Sequence, residues 1–359
     1  PSDLEPSITA TLFHGTLESA LPFDRTEQGS RMVARSPVEA AGPRYVITAS
    51  FAPVTIDRAA GLPPAQTADA TGRAGRPFKE SVERSMPVPE KTTLSLNADV
   101  GDVTVVGIDE DVLRVKATRV VWVRRPAQAP DALAALAVHV VREGNQILVD
   151  SSASGDIESL GCTAYRVDLQ IECPRTLPMT IVAREGTTSV AGVGEAVTLT
   201  QEQGSVFAEH VKASLRIQNK QGACVVEACA GPVEIDAWGD VDLKEIYGDI
   251  TARVQTGRTV IENPKAGVSV QNKGGDVRIL ALKGIGGDFD VKVEEGSLSM
   301  LLSPEADASL SLVAEGGIIR SSLPLDGRIA KNRQEFSTRL KNGQHRVLLE
   351  TVGGDIALD

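Results

Sequence analysis

Along most of this chain apolar and polar residues alternate, as they do in a strand with one buried face. "TLSLNADVGDVTVVG" (93–107) and "VLRVKATRVVWV" (112–123) read as strands. "YRVDLQIECP" sets Tyr165, Val167, Leu169, Ile171 and Cys173 on one face before Pro174 ends it. "VHVVREGNQILVDSS" reads as a hairpin turning near Gly144-Asn145, and "APDALAALAV" as one short helix favoured by Asp131 and the Ala/Leu run. "RYVITASF" (44–51) is a further strand-like piece.

From residue 186 a second, longer period appears. Gly186, Gly204, Gly222, Gly239, Gly257 and Gly275 follow one another at 18, 18, 17, 18 and 18 residues. Two places after each stand Thr188, Val206, Cys224, Val241, Thr259 and Val277; four places after stand Val190, Ala208, Val226, Leu243, Ile261 and Ile279. Seven places after come Val193, Val211, Cys229, Ile246, Pro264 and Leu282. Further on come the pairs Val197 with Leu199, Leu215 with Ile217, Val233 with Ile235, Ile250 with Ala252, and Val268 with Val270.

A unit this short cannot bury its own apolar face, so neighbours must stack. Two short strands per unit predict an all-β fold: a parallel β-helix, or β-solenoid, of about 18 residues per coil, its columns stacked at about 4.8 Å. Chirality favours a right-handed coil. The Gly-Asp pairs that recur at 101–102, 155–156, 239–240, 248–249, 275–276, 287–288 and 354–355 then read as punctuation. Glycine takes corner angles that other residues resist, and the aspartate accepts local N–H groups.

Three stretches follow. Eleven of the nineteen prolines fall in the first ninety positions, and residues 1–86, with the linker-like "GLPPAQTADATGRAGRPF", read as an extended Pro-rich arm or a small β segment. Residues 87–185 open the solenoid with a short helix and hairpin, and 186–359 form its regular coils.

The second and third stretches resemble a bacterial family named "putative adhesins", domains of β-strand repeats with undefined function. The resemblance rests on "LSLNADVGDVTVVGIDEDVLRVKA", "DALAALAVHVVREGNQILVD", the strand ending in Cys-Pro within "YRVDLQIECPRTLPMTIVAREG", the Gly-spaced coils and the closing "GQHRVLLETVGGDIALD". It implies an extracytoplasmic, non-enzymatic β-solenoid carried on or near a membrane, and offers no catalytic residue to carry over. Residues 1–86 lie outside it.

Composition narrows the classes. Hydrophobic residues make up 42% and aromatic ones 3%, so the core must be aliphatic. A net charge of −11 without a dense Lys/Arg run argues against nucleic acid. No apolar run reaches the roughly 18 residues of a membrane span. Location outside the cytoplasm, periplasmic or extracellular, is expected, with any membrane association made through a partner or a removed N-terminal anchor.

Candidate chemistry is sparse. Calcium needs six to eight oxygens around one point, against about one aspartate per coil, so no metal is assigned. Cys224 and Cys229 fall in inward columns and read as small core residues. Cys162 and Cys173, eleven residues apart, could close a disulfide in an oxidising compartment. No catalytic constellation, phosphate loop or cofactor motif is present in the sequence.

One outward column stands out. Three places after the coil glycines come Ser189, Phe207, Val225, Asp242, Val260 and Arg278, half of them apolar where solvent should favour polar side chains. Phe207, Val225 and Val260, with Trp238 and Tyr247 near the corners, therefore mark an interaction surface that the N-terminal arm or another protein would cover. The expected function is a non-catalytic scaffold that binds proteins, such as an accessory subunit on the outer face of a membrane complex. An adhesin binding glycans or cell surfaces is the alternative, and a carbohydrate-active β-helix enzyme a distant third.

Overall fold

The computed structural model describes strands Ser7–Phe13, Leu17–Ser19, Asp24–Gln28, Arg31–Arg35, Arg44–Ser50 and Val54–Ile56, and all of residues 75–359. The chain divides into two compact units, Pro1–Thr71 and Gly72–Asp359. In the first, four strands form one sheet and Leu17–Ser19 pairs with Val54–Ile56 in another. Ser7–Phe13 runs parallel to Arg44–Ser50 and antiparallel to Arg31–Arg35. Of the two forms expected for the N-terminal stretch, these described strands are paired; the Pro/Gly-rich residues 57–74 lie outside the described residues.

The second unit is almost entirely β, with one short helix, Ala129–Ala134, after a single 3-10 turn. Two large sheets, of 13 and 14 strands, run mostly parallel. The chain feeds them alternately. In the first sheet Thr188–Ala191, Val206–Glu209, Cys224–Glu227, Val241–Lys244, Thr259–Glu262 and Val277–Ala281 lie side by side. In the second, Val197–Gln203, Leu215–Asn219, Val233–Ala237, Ile250–Val254 and Val268–Gly274 do the same.

The register is the sequence period. Val206 pairs with Cys224, Cys224 with Val241 and Val241 with Thr259. Val190, Val226, Leu243, Ile261 and Ile279 form the neighbouring ladder, all buried. Each such aliphatic withdraws enough surface to be worth roughly 1.5–3 kcal/mol, so every added rung brings its own share of core.

The turns carry their own logic. At one corner Gly186, Gly204, Gly222, Gly257, Gly275 and Gly296 take positive φ, and each lies directly on the carbonyl of the glycine one rung earlier. At the other corner a column of non-glycine residues adopts the left-handed conformation: His210, Ala228, Glu245 and Asn263, in line with Gly192. Rung-to-rung bonds hold them there, from the N–H of His210 to Glu227 (3.1 Å), of Ala228 to Lys244 (3.0 Å) and of Asn263 to Leu280 (2.8 Å). Asparagine and glycine suit this conformation, whereas alanine pays for it with a Cβ clash. Ala228→Gly should accordingly raise stability by about 0.5–1 kcal/mol, read as a higher urea midpoint at unchanged slope.

Inward-turned corner carbonyls require donors, since a buried carbonyl without a partner is costly. Three buried amides fifteen residues after the corner glycines supply them. Gln201 Nε2 donates to Gly186 O (3.1 Å), Asn219 Nδ2 to Gly204 O (3.2 Å), and Asn272 Nδ2 to Gly257 O (2.9 Å).

Three features depart from the regular pattern. The strand Arg76–Pro87, left with the N-terminal stretch in the sequence reading, is the edge of the 13-stranded sheet and runs antiparallel to Val112–Val123. The segment after Gly275 carries three extra residues before Gly296, which widen the corner and leave Leu282 exposed instead of buried in its column. Past Leu302 the coils are no longer regular. His345–Val352 returns to pair with Phe289–Glu295, and an antiparallel pair, Asp326–Ala330 with Arg333–Leu340, ends the sheet. A repeat stack needs such closing strands because its last apolar face has no next rung.

Candidate functional site

The outward column of the 13-stranded sheet is assembled by register. Phe207 pairs with Val225, Val225 with Asp242, and Asp242 with Val260. Strand spacing of about 4.8 Å places Phe207 and Val225 side by side, with Val260 two strands beyond Val225. All three are nearly closed to solvent, at 8%, 6% and 8% exposure, although their side of the sheet faces away from the aliphatic core.

Trp238 and Tyr247 are 60% and 56% exposed. They sit at the two ends of the strand Val241–Lys244, just before and just after it, so the structure does not bring them together. They occupy the two bends that flank that strand. Their backbones are fixed by adjacent rungs, Trp238 N–H donating to Asn219 O (2.9 Å) and Tyr247 N–H to Cys229 O (2.8 Å). Rigid backbone under an exposed aromatic lowers the entropy lost when something binds it.

Charges border Tyr247. Lys283 Nζ donates to Glu245 Oε1 (2.7 Å), which also accepts from Asn263 Nδ2 (3.2 Å). The bond from Lys283 holds the Glu245 carboxyl below its ordinary range, and the same bond raises the Lys283 ammonium. On the sheet face Glu227 and Lys244 pair at 3.3 Å.

A second polar cluster joins the two sheets. Tyr165 Oη donates to Asp99 Oδ2, and Arg184 Nε to Asp99 Oδ1. Burial opposes ionisation of Asp99, but the bonds from Arg184 and Tyr165 outweigh it and keep its carboxyl below the ordinary value. Burial first, then Asp99, pushes the Tyr165 phenol up to about 12. A phenol held neutral beside an ionised carboxylate serves as a clasp and is poorly suited to nucleophilic chemistry.

The Gly-Asp aspartates are engaged in the same structural way. Asp240 Oδ1 accepts from Arg258 N–H (2.8 Å), Asp249 Oδ1 from Gly267 N–H (2.9 Å), and Asp276 Oδ1 from Ser297 N–H (2.8 Å). Asp102 and Asp355 do likewise with Thr187 and Ile318, both at 2.9 Å. Each carboxylate thus hooks one rung to the next. Their spacing spreads the oxygens along the stack instead of gathering them around a point.

The cysteines correct one expectation. Cys162 and Cys173 both belong to the single continuous strand Cys162–Pro174, so their Cα atoms lie roughly 36 Å apart at about 3.3 Å per residue. A disulfide needs roughly 4.4–6.8 Å. Cys162 opens that strand and Cys173 stands next to its end. All four cysteines are free and buried. Burial pushes the thiols of Cys173 and Cys224 up to about 12 and that of Cys229 up to about 11, which suppresses the reactive thiolate.

No helix among the described residues is long and apolar enough to cross a membrane. No family model and no curated protein matches the chain. Several solved structures align with much of it. A "putative adhesin" from Bacteroides fragilis aligns over 78% of this chain and 97% of its own, at 14% identity and a TM-score of 0.36. A "putative lipid binding protein" from Parabacteroides distasonis aligns over 78% and 96%, at 8% identity and 0.34. A "putative adhesin" from Parabacteroides merdae aligns over 78% and 96%, at 9% identity and 0.30.

Proposed function

We propose that the second unit is a β-solenoid working as a non-catalytic, extracytoplasmic binding scaffold, touched by a protein partner along the outer face of its 13-stranded sheet. One observation carries this reading. Trp238 and Tyr247, both more than half exposed, occupy the bends at either end of Val241–Lys244, a strand of that sheet. Aromatic side chains on fixed backbone are typical anchors of protein interfaces.

The partner would be held at or outside a membrane. A glycan is the second reading, favoured by Trp238 alone, since an exposed indole suits the apolar face of a sugar. The test is affinity capture with the full chain from native membranes and from soluble extract, run beside a glycan array. Wild type should retain a discrete protein, and the Trp238→Ser/Tyr247→Ser double variant should weaken that capture about tenfold or more. Equal capture by both would remove this face from the reading, and binding only on the array would favour the glycan.

A further inference from the structure

The longest of the sheet edges is the strand Arg76–Pro87, twelve residues against five for His139–Glu143 and Asp326–Ala330 and three for Ile319–Ser321. Its inner side pairs with Val112–Val123 without a bulge. The bond from Val88 N–H to Asp111 O (3.0 Å) fixes the phase of that ladder. Even-numbered residues exchange bonds with the inner neighbour, so Lys79, Ser81, Glu83 and Ser85 turn their N–H and C=O groups to the open edge. Pro77 and Pro87 have the same parity and offer no N–H there, so they bracket the available stretch.

The side chains between the prolines read as their own complement. Phe78, Glu80, Val82, Arg84 and Met86 share one side of the strand. Phe78, Val82 and Met86 are only half-buried, and Glu80 and Arg84 are exposed. Laid antiparallel on itself with Val82 on the two-fold axis, the strand sets Phe78 opposite Met86 and Glu80 opposite Arg84, each twice. On the other side Lys79 meets Ser85 and Ser81 meets Glu83. Shifting the axis to Ser81 would instead face Phe78 with Arg84 and Glu80 with Val82.

We infer that two copies of this chain associate through Arg76–Pro87, antiparallel about a two-fold axis at Val82, joining their 13-stranded sheets into one. The four facing residues on each copy exchange about eight backbone hydrogen bonds, and the half-buried Phe78, Val82 and Met86 gain the cover they lack. A closed isologous contact of this kind stops at two copies.

In that register Val82 meets itself at a non-hydrogen-bonded position, with Cα atoms about 4.5 Å apart, inside disulfide range. The full chain carrying Val82→Cys should therefore form a disulfide-linked dimer on mild oxidation. Ser81→Cys faces Glu83 of the other copy, not itself, and should cross-link about tenfold more slowly. The four native thiols are buried and do not compete. Ser81→Pro removes an outward N–H without touching the inner ladder, and should shift wild-type dimer to monomer by light scattering at unchanged circular dichroism. If Ser81→Pro fails to fold, the cysteine pair decides alone. A monomeric wild type, equal cross-linking of the two cysteine variants, or none at Val82→Cys overturns the proposal.

Discussion

Gly204→Ala is expected to lower stability by roughly 4 kcal/mol or to prevent folding at ambient temperature, placing it among the largest single-residue effects. Two independent faults combine. Gly204 has φ of +122°, a conformation that side chains resist, and a Cβ there would overlap the carbonyl oxygen of Gly186 one rung before. That carbonyl cannot step aside, because Gln201 Nε2 donates to it (3.1 Å) and Gly204 is followed at once by the paired strand Val206–Glu209. Relief would require parting two rungs, and hence breaking a ladder. Urea denaturation checks the claim. An unfolding free energy within a few tenths of a kcal/mol of wild type would mean that the corner is softer than its geometry.

Phe289→Ala should cost about 3–5 kcal/mol, from lost transfer energy together with the cavity left behind. Phe289 is the largest of the fully buried side chains among the described residues. It stands in a column otherwise filled by Val268 on one side and Val347 on the other. Small neighbours on both sides, held in parallel ladders, cannot collapse into the space. The denaturation slope should stay constant, whereas Phe289→Leu should recover most of the loss.

The columns that predicted stacking were legible because burial repeats with the same spacing as the chain. Val206, Leu243 and Ile261 are buried where the glycine alignment put them. The helix and hairpin were legible from local signals, at Ala129–Ala134 and at His139–Glu143 with Gln146–Asp150. Features that depend on contact between rungs were not. The corner glycines were read for their angles, while their stacking on one another needs the third dimension. Gln201, Asn219 and Asn272 look like surface residues in sequence, since only the fold turns a carbonyl toward them. Leu282 kept its place in the alignment and lost it in space, because three added residues widen its corner. Of the candidate surface, the outward facing of Phe207, Val225 and Val260 followed from alternation, but their near-complete burial did not.

The register of the two sheets limits how such a chain can change length. Removing a single residue from a strand such as Ile250–Val254 would exchange its core and solvent sides, whereas excising a whole turn would leave every remaining column intact. The three extra residues ahead of Gly296 show the other permitted route, insertion at a bend. Insertions and deletions in a lineage of such chains should therefore come as complete turns or as loops at bends, with the ladders between them conserved in phase.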